Sequence, residues 1–201
     1  MTKPQTRPTI EEVASCLKAG GVVLLPTDTV LGLAAAPYID DAVQKLYQLK
    51  MRPLERRLPI MIASPSQLES LGAVVTPAAT RLLDSNFVPG PLTVALGLGS
   101  LKPIWLAERY EIAVRIPADD FMLGVLRQTG PLFVTSANAH GHPSPSTHDQ
   151  ALAQLNGVPD LIVQGKSKTA KPSSLVNCNC DPPVVEREGE VPTASIRAIL
   201  G

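Results

Sequence analysis

The stretch from Val22 to Arg52, VVLLPTDTVLGLAAAPYIDDAVQKLYQLKMR, does most to limit what this chain can become. Val22 to Leu25 reads as a short buried strand, and Pro26 ends it because proline has no N–H to give to a sheet ladder. Thr27, Asp28 and Thr29 then place hydroxyls and a carboxylate directly behind that strand. Strand ends are where ligand crevices form in open α/β sheets. On composition alone the same residues better suit turn chemistry, since Thr and Asp readily bond nearby backbone. A helical segment follows, with Asp40 or Asp41 as its cap, Val43, Leu46 and Tyr47 facing inward, and Lys50 on or just beyond its last turn. The loop PTDTVLGL (26–33) and the pair Lys50-x-Arg52 are expected to close on each other.

With 201 residues the chain is expected to form one domain, 1–201, with a substantial core. A 44% hydrophobic composition with 18 basic and 18 acidic side chains argues against disorder. The balanced charge predicts no global attraction to nucleic acid, although a local patch remains open. One Trp, three Tyr and three Phe weaken the case for a base-stacking platform. Twenty prolines, about double ordinary usage, predict many fixed loops.

Three cysteines are too few for a disulfide framework, and Cys178-x-Cys180 has the wrong spacing for a redox CxxC or a zinc knuckle. His140, His142 and His148 read as an exposed loop, because the H-x-H pair lacks a third ligand. No protein-held metal is expected. No run approaches the roughly 18 apolar residues of a membrane span, and MTKPQTRPTIEE lacks the apolar core of a secretory signal. The expected location is cytoplasmic, or stromal if a transit peptide was trimmed.

Further along, Thr9-x-x-Glu12 has the form of a capping box before Ile10, Val13, Ala14 and Leu17, with Gly20-Gly21 as the stop. In KMRPLERR, Lys50, Arg52, Arg56 and Arg57 crowd around a proline, which reads either as an anion site or as a solvated basic loop. LPIMIA (58–63), VPGPLTVALGL (88–98), EIAVRIP (111–117), LFVTSAN (132–138), DLIVQG (160–165), SLVN (174–177) and VVEREGEVP (184–192) each contain a strand. Ser64, Thr76 and Thr147 are expected N-caps, Asp119 and Asp120 open a helix to about Gln128, and KSKTAKPSS (166–174) is a flexible basic loop. Arg115 is a lone charge in an apolar strand. Burying it unpaired is costly, so it should meet Asp28, Glu111, or a ligand anion.

The chain has no P-loop, no Rossmann fingerprint and no GxSxG elbow. No histidine stands in a context that makes it a base for Ser136. What remains are strand ends bearing hydroxyls and amides, with isolated arginines and a lysine. Such a set suits a polyanion and a small zwitterion, acting through positioning and electrostatics.

The motifs PTDTVLGL, KMRP, VPGPLTV, AVRIP, TSAN, HPSPST, PSSLVN and EREG occur in that order. Together they resemble the YrdC-like domain of L-threonylcarbamoyladenylate synthases over a core of about 10–197, in its short single-domain form. The resemblance implies an α/β fold, a twisted open mixed sheet with flanking helices and a large basic concave site. It also implies synthesis of L-threonylcarbamoyladenylate from L-threonine, bicarbonate and ATP with release of pyrophosphate, and Mg2+ sharing the phosphate charge. A threonylcarbamoyl transferase complex acting on tRNA would be the downstream partner, with direct RNA contact left open. Carried over, Lys50 and Arg52 are the catalytic cations gripping phosphates or carbamate. Thr29, Arg115 and Ser173 would bind threonine; Arg52, Arg56, Ser136, Asn138, Ser144 and Arg187 would bind ATP.

Departures from the family pattern include Leu31 in place of a tyrosine expected to wall the pocket, Met61, His140, Leu175, and Gln164 in place of Asp. They motivate an alternative, an RNA-binding or ribosome-associated paralogue of the same fold without synthesis. Carbamoyl-adenylate chemistry on another acceptor, as in hydrogenase-maturation proteins, is a third expectation.

Overall fold

A computed structural model describes residues 7–169 and 171–201. Residues 1–6, and Ala170 of the basic loop, lie outside the described residues. The elements are α1 (Ile10–Lys18), β1 (Val23–Leu25), β2 (Gly32–Ala35), α2 (Asp40–Lys50), β3 (Ile60–Met61), α3 (Gln67–Ser70), β4 (Ala73–Val74), α4 (Pro77–Leu83) and β5 (Leu92–Leu98). After a 3₁₀ turn at Ile104–Leu106 come β6 (Glu111–Arg115), α5 (Asp120–Thr129), β7 (Leu132–Ser136), α6 (His148–Gln154), β8 (Leu161–Ile162), β9 (Ser174–Asn177), β10 (Val184–Arg187) and α7 (Thr193–Leu200).

One mixed sheet runs β10-β9-β5-β6-β3-β7-β2-β1-β8, with β4 beside the far end of β5. The pairs β1/β8, β3/β6 and β5/β9 are parallel, and the remainder are antiparallel. This is the α/β class read from the sequence. Both faces are covered, as alternation along β1 shows. Val23 and Leu25 pack with α1 and α5 in one cluster, whereas Leu24 joins α2, α4 and α7 in the other. A strand buried on both faces reads as a continuous apolar run, which is why VVLL was legible.

The capping box is present: Thr9 Oγ1 accepts from Glu12 N at 3.2 Å, and Glu12 accepts from Thr9 N at 2.7 Å. Thr76 and Thr147 cap α4 and α6, and Asp119 caps α5. Three expectations are corrected. The segment Gly32–Ala35, read as loop running into helix, is strand β2, held between β1 and β7. Ile39, not Asp40 or Asp41, is the N-cap of α2, and the two carboxylates lie in its first turn, where they favour the positive end of the helix dipole. Ser64 caps nothing; its hydroxyl meets that of Ser66 at 2.6 Å. Among the described residues no helix is long and apolar enough to cross a membrane.

Leu33 is fully buried at the centre of β2. Leu33→Ala should lower unfolding free energy by about 2–5 kcal/mol without changing the urea m-value. A loss below about 1 kcal/mol in urea denaturation would contradict this packing.

Candidate active site

The sheet leaves a cavity of about 210 Å³ whose wall reaches from β2 across to β10. One part of the wall is the β1–β2 connection. Thr27 Oγ1 donates to Val30 O at 2.7 Å and accepts from Thr29 N at 3.1 Å, so this loop does show the turn chemistry expected of it. Since the Thr27 proton goes to Val30 O, the 3.2 Å contact between the two hydroxyls has Thr29 as donor. Thr29 Oγ1 in turn accepts from Arg115 Nη1 at 2.8 Å. One acceptor lone pair of Thr29 is left over.

Arg115, the last residue of β6, is buried. Its Nη2 lies 2.7 Å from Asp28 Oδ1, and its Nε donates to Gly90 O at 2.9 Å. Asp28 Oδ2 accepts from Ala118 N at 3.1 Å. Of the three partners foreseen for Arg115, Asp28 is therefore in place. Glu111 is engaged elsewhere, with Asn179. The Arg115–Asp28 contact is not aligned as a hydrogen bond. Two of the five guanidinium donors are hydrogen-bonded and Nη2 is buried against Asp28, which leaves one N–H of Nη1 uncommitted. Burial lowers the Arg115 pKa, and the Asp28 carboxylate opposes that shift.

The opposite wall comes from β5, β9 and β10. The Thr93 and Ser173 hydroxyls are hydrogen-bonded to each other at 2.7 Å. Arg187 grips the Ser173 carbonyl through Nε at 3.1 Å and Nη2 at 2.9 Å. Ser174 Oγ, fully buried, donates to Val191 O and accepts from Gly189 N and Val191 N, which fixes the turn behind Arg187. A Cβ at Gly189 would lie 2.2 Å from Pro172 O, so only glycine allows this approach.

Arg52 and Arg57 complete the wall. Arg52 donates through Nε to Arg56 O at 2.7 Å and through Nη2 to Arg57 O at 3.0 Å. Four guanidiniums thus face one cavity. Among the described residues only Arg115 has a carboxylate partner. Burial lowers the pKa of Arg52 and of Arg187, and Arg187 adds to the effect at Arg52. The other three guanidiniums, gathered without counter-charge, are chemically suited to an anion.

Of the residues singled out in the sequence, Thr29, Arg52, Arg115, Ser136, Ser173 and Arg187 converge on this cavity. Lys50, Arg56, Asn138 and Ser144 do not line it. Lys50 is buried, and its Nζ donates to the carbonyls of Ser136 and, at 2.7 Å, Asn138. The pair Lys50-x-Arg52 therefore splits. The lysine turns to the loop after β7, and that loop in turn meets the β1–β2 connection through Ala137 N→Leu31 O at 2.8 Å.

Asn138 donates to Ala139 O and His142 O, bracing the same loop. Arg56 is exposed and contributes its carbonyl, while its neighbour Arg57 reaches the cavity. Leu31 is fully buried in the main core and is no cavity wall, so the absence of a tyrosine there does not open the pocket. Thr93 escaped the sequence reading. Its signal was a lone hydroxyl in an apolar strand, the same signal that flagged Arg115.

The carboxylates nearest this wall do not suit a protein-held Mg2+. Asp28, behind the wall, has one oxygen against Arg115 and the other accepting from Ala118 N, and among the described residues no Asp, Glu or His lines the cavity.

The Sua5/YciO/YrdC family model, described as telomere recombination, matches residues 15–189. The chain belongs to this family. It is 34% identical over 198 residues to the threonylcarbamoyl-AMP synthase of Bacillus subtilis, covering 96% of this chain and 57% of that protein. A putative threonylcarbamoyl-AMP synthase of Methanocaldococcus jannaschii is 33% identical, covering 86% of this chain and 82% of that one. The structure of Sua5 from Pyrococcus abyssi complexed with L-threonine superposes with a TM-score of 0.84 at 31% identity, over 96% of this chain and 57% of that chain. The chain spans 57% of the length of the first curated relatives it matches.

Burial, and then the nearby Arg52, pushes the Lys50 pKa down from 10.5 to about 7. Between those values the unfolded chain binds more protons than the folded one, so Lys50 adds stability as pH rises from 7 towards 10.5 and withdraws it as pH falls back. The stability of the wild type relative to Lys50→Met should therefore grow between about pH 7 and 10 in urea denaturation. A flat or shrinking difference would contradict the burial of this ammonium.

Proposed function

We propose that this family member is an L-threonylcarbamoyladenylate synthase, a nucleotidyltransferase using L-threonine, bicarbonate and ATP and releasing pyrophosphate. The observation that carries the reading is the composition of one wall. A hydroxyl end built from Thr29, Thr93 and Ser173 around Arg115 is continuous with three arginines that lack carboxylate partners. The names of the relatives, and the threonine bound to one of them, support synthesis over the RNA-binding alternative.

The uncommitted Nη1 N–H of Arg115 suits the threonine carboxylate, and the spare lone pair of Thr29 suits its amine or hydroxyl. Arg52, Arg57 and Arg187 suit the phosphates. A cavity of about 210 Å³ is smaller than the roughly 300–1,000 Å³ that encloses a whole drug-sized ligand. The amino acid and the reacting groups fit inside, and the nucleoside would extend from the mouth.

The amine of threonine and bicarbonate give a carbamate and water. A carbamate oxygen then bonds to the α-phosphorus as the bond to the β-phosphate oxygen breaks, and pyrophosphate leaves. The protein supplies no nucleophile. Its part is to hold the carbamate in line and to neutralise charge developing on the phosphates. Magnesium, implied by the resemblance, would ride on the phosphates instead of on protein carboxylates. Lys50 serves by fixing the Ser136 and Asn138 carbonyls; Arg56, Asn138 and Ser144 would reach nucleotide only beyond the mouth. The product would pass to a threonylcarbamoyl transferase complex acting on tRNA in the cytoplasm.

Pyrophosphate release from ATP should require both threonine and bicarbonate. Ser173→Ala should raise the KM for threonine about tenfold, the cost of one lost buried hydrogen bond, with a smaller effect on ATP. Release that ignores threonine, or none from folded protein, would refute the reading. Arg115→Ala is a poor probe, because it strands the Asp28 carboxylate in the core.

A further inference from the structure

Arg109 lies off the cavity wall, yet it is buried, and no carboxylate pairs with it among the described residues. Its guanidinium carbon sits 4.6 Å from the ring centroid of Phe133 on β7, and its Nη1 donates to Leu58 O at 2.9 Å. Lys102 Nζ in turn holds the Arg109 carbonyl at 2.5 Å. Burial draws its pKa down to about 10, with Arg57 adding to the shift. Retaining a buried cation at this cost calls for a task that an apolar residue could not perform.

That task is legible in three successive carbonyls. Arg56 O accepts from Arg52 Nε and from Tyr47 Oη, Arg57 O accepts from Arg52 Nη2, and Leu58 O accepts from Arg109 Nη1. These residues precede β3, so no sheet ladder fixes them. The chain from Arg57 to Met61 nevertheless supplies one wall of the cavity. Arg52 pins the segment from the cavity side and Arg109 pins it from the core behind. A guanidinium can lie on an aromatic face and aim an N–H at a carbonyl in its own plane, and an ammonium cannot do both.

We propose that Arg109 is a positioning residue for the phosphate half of the site, clamping the Leu58 carbonyl so that Arg57 and Arg52 face the cavity. The proposal rests on the synthase reading for the identity of its ligand. Its geometry does not reach the threonine half, where Arg115 is held by Gly90, Thr29 and Asp28.

The test is calorimetric titration of ATP, and separately of L-threonine, into the full chain carrying Arg109→Met or Arg109→Lys. Stranding the Leu58 carbonyl in Arg109→Met should weaken ATP about tenfold or more and leave threonine within about twofold. Arg109→Lys should recover part of the ATP affinity, because it keeps a donor but loses the stack. Unchanged ATP affinity in folded Arg109→Met, or equal losses for both ligands, would overturn the proposal. If Arg109→Met does not fold, Arg109→Lys decides. A loss confined to ATP supports the clamp, and wild-type behaviour overturns it.

If the wild type binds no ATP, it is the synthase reading that falls. The clamp is then judged by hydrogen exchange at Arg52 Nε. Exchange about tenfold faster in the variant supports it, and unchanged exchange overturns it.

Discussion

A cation without a carboxylate partner turns its donors to backbone carbonyls, and this chain relies on that arrangement at several points around one cavity. Lys50 holds the carbonyls of Ser136 and Asn138. Arg52 holds those of Arg56 and Arg57, and Arg109 that of Leu58. Arg187 holds that of Ser173. The gripped carbonyls lie on loops or at strand margins, with only Ser136 inside a sheet ladder. A carboxylate beside Arg52 or Arg187 would neutralise the charge that the proposed phosphate site uses. A carbonyl orients the cation and leaves its charge in place.

The sheet order explains why such loops meet. β3 pairs in parallel with β6 and antiparallel with β7, and β5 pairs in parallel with β9, so segments far apart in sequence bring their ends to one cavity. Arg115 and Thr29 are 86 residues apart, and Thr93 and Ser173 are 80 apart. The hydroxyl half depends on mutual hydrogen bonds and the arginine half on carbonyl grips. This division suits the proposed recognition of a zwitterion beside a polyphosphate, in a reaction that needs placement more than a protein nucleophile.

Local signals in the sequence were reliable where the physics is local. Thr9 with Glu12, Thr76 before Pro77, and Thr147 acted as caps because their partners lie within one turn. Strand β2 was missed. Gly32, Leu33, Ala34 and Ala35 carry no β-branched or alternating pattern, and pairing with β1 on one side and β7 on the other makes them a strand. Arg115 was legible as a buried charge needing a partner, but choosing Asp28 over Glu111 needed the fold. Lys50 was legible as a cation beside Arg52. Its destination, two carbonyls 86 and 88 residues onward, has no trace in local sequence. Leu31 occupies a loop position, yet its side chain belongs to the main core, a placement that local sequence does not carry.

The central claim is that the arginines without carboxylate partners on the cavity wall are the phosphate-binding groups. Nitrogen-15 spectra of arginine Nε–H groups during titration with ATP test it most directly. The resonances of Arg52, Arg57 and Arg187 should shift together and saturate with one affinity, while Arg81, Arg127 and Arg197 stay in place. Shifts spread evenly over all arginines, or confined to those outside the cavity, would contradict the account.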